Sequence, residues 1–187
     1  MSKRSVLILT GMALFFSWSI LHAQSRLIDT TLGNVRIELH ALPPEPFFTK
    51  DQVSEGNVKE GMLILGGERP FGLDAPTRPN LHLALHVFDV KTELAIEDAR
   101  VKMSFQALDS KGNLFGAPVD VPIVVMQAVG KDTSGGARIG AQTLHYGNNV
   151  SLPDGPYVIS LSINDKKLRF TVTHLFAQRS SMEGPQY

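Results

Sequence analysis

The chain has 187 residues, with 18 basic and 18 acidic side chains and no cysteine. The missing thiols exclude cysteine nucleophiles, thiolate metal sites and redox disulfides, so any metal must be held by His, Met, Asp, Glu or backbone oxygen. The even charge balance, without a basic run, speaks against nucleic acid as a partner.

The N-terminus reads as an export signal. Met1, Ser2, Lys3 and Arg4 form a short positive segment, an apolar run extends from Val6 to Leu21, and a small residue, Ala23, follows His22. Positive, apolar and small-residue regions in that order form a secretory signal peptide. Residues 1–23 are therefore expected to be cut away, and the protein to work in the periplasm. The apolar run is shorter than the ~20 residues a spanning helix prefers. The large Leu21 at the minus-three position leaves retention as a membrane anchor as the alternative. Residues 24–177 are expected to form a single domain. The polar end, 178–187, with Gly184 and Pro185, is expected to be a loose tail.

Beyond the signal the chain alternates. Candidate strands are Asn34–Leu39, Gly61–Leu65, Leu81–Val90, Arg100–Leu108, Val119–Val125, Gly155–Ile163 and Leu168–Phe176. Leu81, Leu83, Leu85 and Val87 share one face of their run. Val101, Met103, Phe105 and Ala107 share another, and so do Tyr157, Ile159, Leu161 and Ile163. Period-two alternation marks half-buried strands. Asp109-Ser110-Lys111-Gly112-Asn113 and Pro153-Asp154-Gly155-Pro156 are turn sequences, and Asn164-Asp165-Lys166-Lys167 suggests a hairpin. Pro43–Glu60, with its early prolines, reads as an irregular insertion. The fold expected is all-β, an Ig-like β-sandwich of about seven strands.

No catalytic motif is present: no G-x-S-x-G, no H-E-x-x-H and no Gly-rich phosphate loop followed by a helix. Five histidines follow the signal: His40, His82, His86, His145 and His174, with Met62, Met103 and Met126 as soft companions. His82 and His86 point to the same face of a strand, opposite Leu81, Leu83, Leu85 and Val87. They stand four rises of ~3.3 Å apart, too far to bind one ion directly without a bulge; solvent-facing histidines are the simpler reading. His174 shares its face with Phe170 and Val172 and should point inward, as a hydrogen-bonded core residue or as a ligand. Met103 reads as core, and Met126 as core or ligand.

The most specific segment is Leu144-His145-Tyr146-Gly147-Asn148-Asn149-Val150, ahead of the turn and strand at Gly155-Pro156-Tyr157. Here the chain resembles the periplasmic high-affinity iron-transport protein family, Ig-like proteins that bind copper and iron. The resemblance runs patchily from Leu81 to His174. It implies a metal site at His145, with Met126 on an upstream strand, His82 from a His-Leu pattern and His174 as a late histidine. Where the family has a ligand Glu after His-Leu, this chain has Ala84, which His82 and His86 flank. The family's late His-x-His is reduced to Thr173-His174-Leu175, and Gly130–Gly140 looks like an insertion.

The expected function is that of a non-catalytic periplasmic metal-binding protein assisting metal uptake or handling. The ion is copper or iron, copper favoured by Met126, and the ligands are drawn from His145, His174, Met126, His82 and His86. Its partners would be the metal ion and an inner-membrane transporter or another envelope protein. The alternative is an exported Ig-like interaction module without a metal site. His40 lies outside the expected site.

Overall fold

The computed structural model describes residues 25–56, 58, 60–70, 78–130 and 143–175. The expected signal at 1–23, the expected tail at 178–187 and residues 131–140 of the expected insertion lie outside them.

The chain is an all-β sandwich. Its strands are β1 (Ser25–Leu32), β2 (Val35–Leu42), β3 (Phe47–Phe48), β4 (Glu60–Gly67), β5 (Leu81–Asp89), β6 (Val101–Leu108), β7 (Leu114–Val121), β8 (Val124–Gly130), β9 (His145–Val150), β10 (Tyr157–Ile163) and β11 (Lys166–Val172); one short helix, α1 (Lys50–Ser54), follows β3. A seven-stranded sheet runs β1-β2-β5-β9-β8-β4-β3, and a four-stranded sheet runs β11-β10-β6-β7.

Alternation builds the main core. Ile37, Leu39, Leu83, Leu85 and Tyr146 from the large sheet meet Met103, Phe105, Ile159, Leu161 and Ile163 from the small one, all fully buried or nearly so. Met103 is thus core, as expected. Tyr146 ties this layer to the loop after β5: its hydroxyl donates to the Ile96 carbonyl at 2.6 Å and accepts from the Ala99 N–H at 2.9 Å. The expected hairpin joins β10 to β11 through Asn164 and Asp165, at φ 48° and 69°, the left-handed pair of a type I′ turn.

Three features depart from the sequence reading. Val119–Val125 divides between two sheets, β7 ending at Val121 and β8 starting at Val124; Pro122 cannot donate to a ladder and marks the crossover. The polar segment His145–Val150 is a central strand buried on both faces. The segment 43–60, expected to be irregular, carries β3 and α1. Thr49 caps α1 reciprocally with Gln52, which satisfies donors at the helix start.

Segment 43–60 also covers part of the outer face of the large sheet. A second, smaller core forms there from Met62, Val124, Met126 and Ala128, with Phe47 and Ile64 packed against it. The candidate site lies beside it.

Candidate functional site

Register assembles the site. β5 places His82, Ala84 and His86 on the outer face, and β9 places His145, Gly147 and Asn149 there. His82 is paired with Asn149 and Ala84 with Gly147. β2 adds Glu38 opposite His86 and His40 opposite Ala84. β8 sets Met126 opposite His145, and cross-strand partners on one face have Cβ atoms about 4.5–5.5 Å apart.

Ala84 and Gly147 leave the middle of this face without bulk, and the imidazoles gather around it. The ring centroids of His82 and His145 are 5.3 Å apart, those of His86 and His145 5.4 Å, and those of His40 and His86 5.8 Å. Gly147 is also required by the backbone: a Cβ there would come within 1.7 Å of the Leu83 carbonyl oxygen.

Each of three imidazoles has one nitrogen committed. The Asn149 amide is oriented by Glu45: its Oδ1 accepts from the Glu45 N–H at 3.1 Å and its Nδ2 donates to the Glu45 carbonyl at 2.7 Å. That Oδ1 lies 3.0 Å from His82 Nδ1, so Nδ1 carries the proton. His145 Nδ1 donates to the Thr143 carbonyl at 2.9 Å, and His86 Nδ1 to the Leu144 carbonyl at 3.1 Å. Carbonyls only accept, so in each neutral ring the lone pair is on Nε2. His82 Nε2 and His145 Nε2 lie 3.1 Å apart, so with both rings neutral and protonated on Nδ1 two lone pairs face each other.

Burial keeps the rings neutral. It pushes His82 down to about 4, opposed by the Asn149 hydrogen bond, and pushes His145 down to about 3, reinforced by His82. Burial likewise lowers His86, with His40 acting in the same direction. Phe47 closes over His82, with ring centroids 6.0 Å apart.

The sequence-derived candidates are thus sorted by the fold. His82, His86, His145 and Met126 share one face. His82 is fully buried and His86 half-buried, not solvent-facing: Phe47 packs over His82, and His40, Phe88 and His145 pack around His86. His145 stands next to both of them, so neither has to span the length of strand between them. His174 is elsewhere. β11 ends at Val172, the alternation stops there, and Leu175 takes the next buried position. The His174 side chain is half-exposed and faces Asp154, Nδ1 to Oδ2, at 3.5 Å.

His40, left outside the expected site, joins it. Its Nε2 is 3.5 Å from Glu38 Oε2, and its Nδ1 is buried without a hydrogen-bond partner among the described residues. The signal was present in the sequence: in Val35–Leu42 the apolar residues alternate, which puts Glu38 and His40 on the outer face. Among the described residues, no three His, Asp or Glu side chains are arranged to hold a metal ion as they stand. The nearest approach to a coordination seat is the His82–His145 pair, with Met126 across from His145 and His86 beside it.

Fold and site together define an all-β sandwich with a buried imidazole cluster on the outer face of its larger sheet. No family model and no curated protein matches the chain. Among solved structures it is similar to FetP of uropathogenic E. coli strain F11, crystallised as isolated after expression in the periplasm of E. coli. The two are 13% identical, with 82% of this chain and 98% of that one covered, at a TM-score of 0.43.

Proposed function

We propose that the protein is an exported, non-catalytic metal-binding protein that takes a soft cation, copper in preference to iron, at His82 and His145. The observation that carries this reading is the pair of opposed Nε2 lone pairs, 3.1 Å apart. Two lone pairs repel, and a cation between them turns that repulsion into coordination. Imidazole nitrogens bind transition metals at about 2.0–2.1 Å. Two of them 3.1 Å apart therefore subtend an angle of about 100° at the ion, near tetrahedral. A proton could also sit between them, but it would leave a buried charge without a counter-ion, which the depressed basicity of both rings opposes.

Met126 supports copper. A thioether favours Cu(I), whereas carboxylates suit harder ions, and the position between His82 and His86 is Ala84. His86 is the third imidazole within reach of a rotated ring. The export signal at 1–23 supports a periplasmic setting, where the metal would pass to or from an inner-membrane transporter or another envelope protein. The test is retention: the purified protein, loaded with copper and dialysed, is expected to keep about one equivalent, and keeping none would remove the reading.

A second reading, an exported interaction module, draws on β7. This edge strand of the small sheet exposes Leu114 (49%), Phe115 (67%) and Val119 (48%), and an uncovered apolar edge is a template for another chain. It predicts a partner that protects β7 from hydrogen exchange with no dependence on metal.

A further inference from the structure

The outer face of the small sheet carries a second site, distant in the fold from the imidazoles, which line the outer face of the other sheet. A cleft of about 430 Å³ opens there over β6, β10 and β11, within the size range of small-molecule sites. Register defines its lining. Ser162 of β10 is flanked by Lys102 of β6 and Lys167 of β11, and Ser160 by Ser104 and Arg169. Asp120 of β7 lies opposite Ser104. Met103, Leu161 and Leu168 alternate with these residues and also line the cleft, so its wall is mostly apolar, with serine hydroxyls set into it and a cationic rim.

The charges in this cleft are unbalanced. Lys167 and Arg169 are two residues apart on one strand, about 6.6 Å at ordinary strand rise, and Lys102 faces them across β10. Among the described residues, none of the three cations, nor Asp120, forms an ion pair. Like charges on one sheet face are destabilising, and three cations against one carboxylate leave a local excess of positive charge. Arg169 can grip two oxygens at once in fork geometry, the lysines supply point charges, and the serine hydroxyls rotate to donate.

We propose that this cleft binds a small multivalent oxyanion, a molecule presenting two or more negatively charged oxygens, whether carboxylate or phosphate. The proposal is independent of the metal reading. The test is calorimetric titration of the purified protein with sodium citrate and, separately, with inorganic phosphate, against sodium chloride at matched ionic strength. Saturable binding of at least one of the two probes is expected, weakened tenfold or more by Arg169→Gln and by Lys102→Gln. Asp120→Asn, which removes the one opposing charge, is expected to tighten it several-fold. All three positions are surface-exposed, and an unchanged melting temperature shows that each variant folds. Citrate alone identifies the oxygens as carboxylate, and phosphate alone as phosphate; either upholds the site. No saturable binding of either probe, or binding indifferent to Arg169→Gln and Lys102→Gln, overturns it. So does attachment only to vesicles of anionic phospholipid, which would make the patch a membrane contact.

Discussion

His82 Nε2 and His145 Nε2 face each other at 3.1 Å across β5 and β9, while both Nδ1 atoms are held by oxygen acceptors. The pair is set by its second ring of contacts. Asn149 fixes one tautomer and the Thr143 carbonyl the other, and Asn149 is itself held by the backbone of Glu45 on the covering segment.

Asn149 is therefore the residue through which that segment positions His82. Asn149→Leu removes the hydrogen bonds that the Asn149 amide makes to the Glu45 backbone and to His82 Nδ1, and a buried group that loses its partner costs about 1–3 kcal/mol. The expected result is a loss of about 2–4 kcal/mol in denaturant unfolding and a copper affinity lowered roughly 10- to 100-fold, as is usual for partners of metal-binding histidines. Unchanged affinity in a folded Asn149→Leu protein would show that the tautomer is fixed by something else.

Stability of the metal-free protein is expected to fall in mild acid. Burial holds the folded values of His82 and His145 near 4 and 3, below the ordinary 6.5. Between those limits the unfolded chain binds more protons than the folded one, so stability rises with pH in that window. It is fully present above about 6.5 and lost as pH falls toward 4 and below, with a slope approaching about 1.4 kcal/mol per pH unit for each imidazole. Urea unfolding at a series of pH values reads this directly. His82→Phe should flatten part of the slope.

Gly147 tests the register. A Cβ at this position meets the Leu83 carbonyl oxygen at 1.7 Å, so Gly147→Ala has to part β5 from β9. The expected cost is about 2 kcal/mol or more, in the range of overpacked sites, together with weakened metal binding as His145 shifts. A melting temperature equal to the parent's would contradict the close approach.

Tyr146 belongs to the other face of the same strand. Tyr146→Phe keeps the ring and removes the hydroxyl that bridges Ile96 and Ala99. It should cost about 1–3 kcal/mol by leaving the buried Ala99 N–H unpaired, without altering copper affinity, since the hydroxyl lies in the main core.

The strands legible in the sequence were those with one apolar and one polar face: all seven candidate runs coincide with parts of strands. β9 was illegible as a strand because both its faces are buried, and its outward residues His145 and Asn149 are polar groups satisfied by hydrogen bonds, so no period-two contrast survives. His82 and His86 alternate against leucines as surface residues do; tertiary contacts bury them, Phe47 over His82 and His40, Phe88 and His145 around His86. His174 was misplaced because period two was carried one step past the end of β11. His40 was passed over because it lies far in sequence from the His-Tyr-Gly segment, although β2 pairs directly with β5.

The central claim is that His82 and His145 together hold a soft metal ion. Its most direct measurement is Cu(I) affinity, by competition with a chromophoric chelator, for the parent protein and for His82→Ala, His145→Ala and His174→Ala. The parent is expected to bind about one equivalent. His82→Ala and His145→Ala should each weaken binding by more than the roughly 100-fold upper range seen for partners of metal-binding histidines, and His174→Ala, past the end of β11, should bind like the parent. Equal affinity in the parent, His82→Ala and His145→Ala would contradict the account, as would loss of binding in His174→Ala alone.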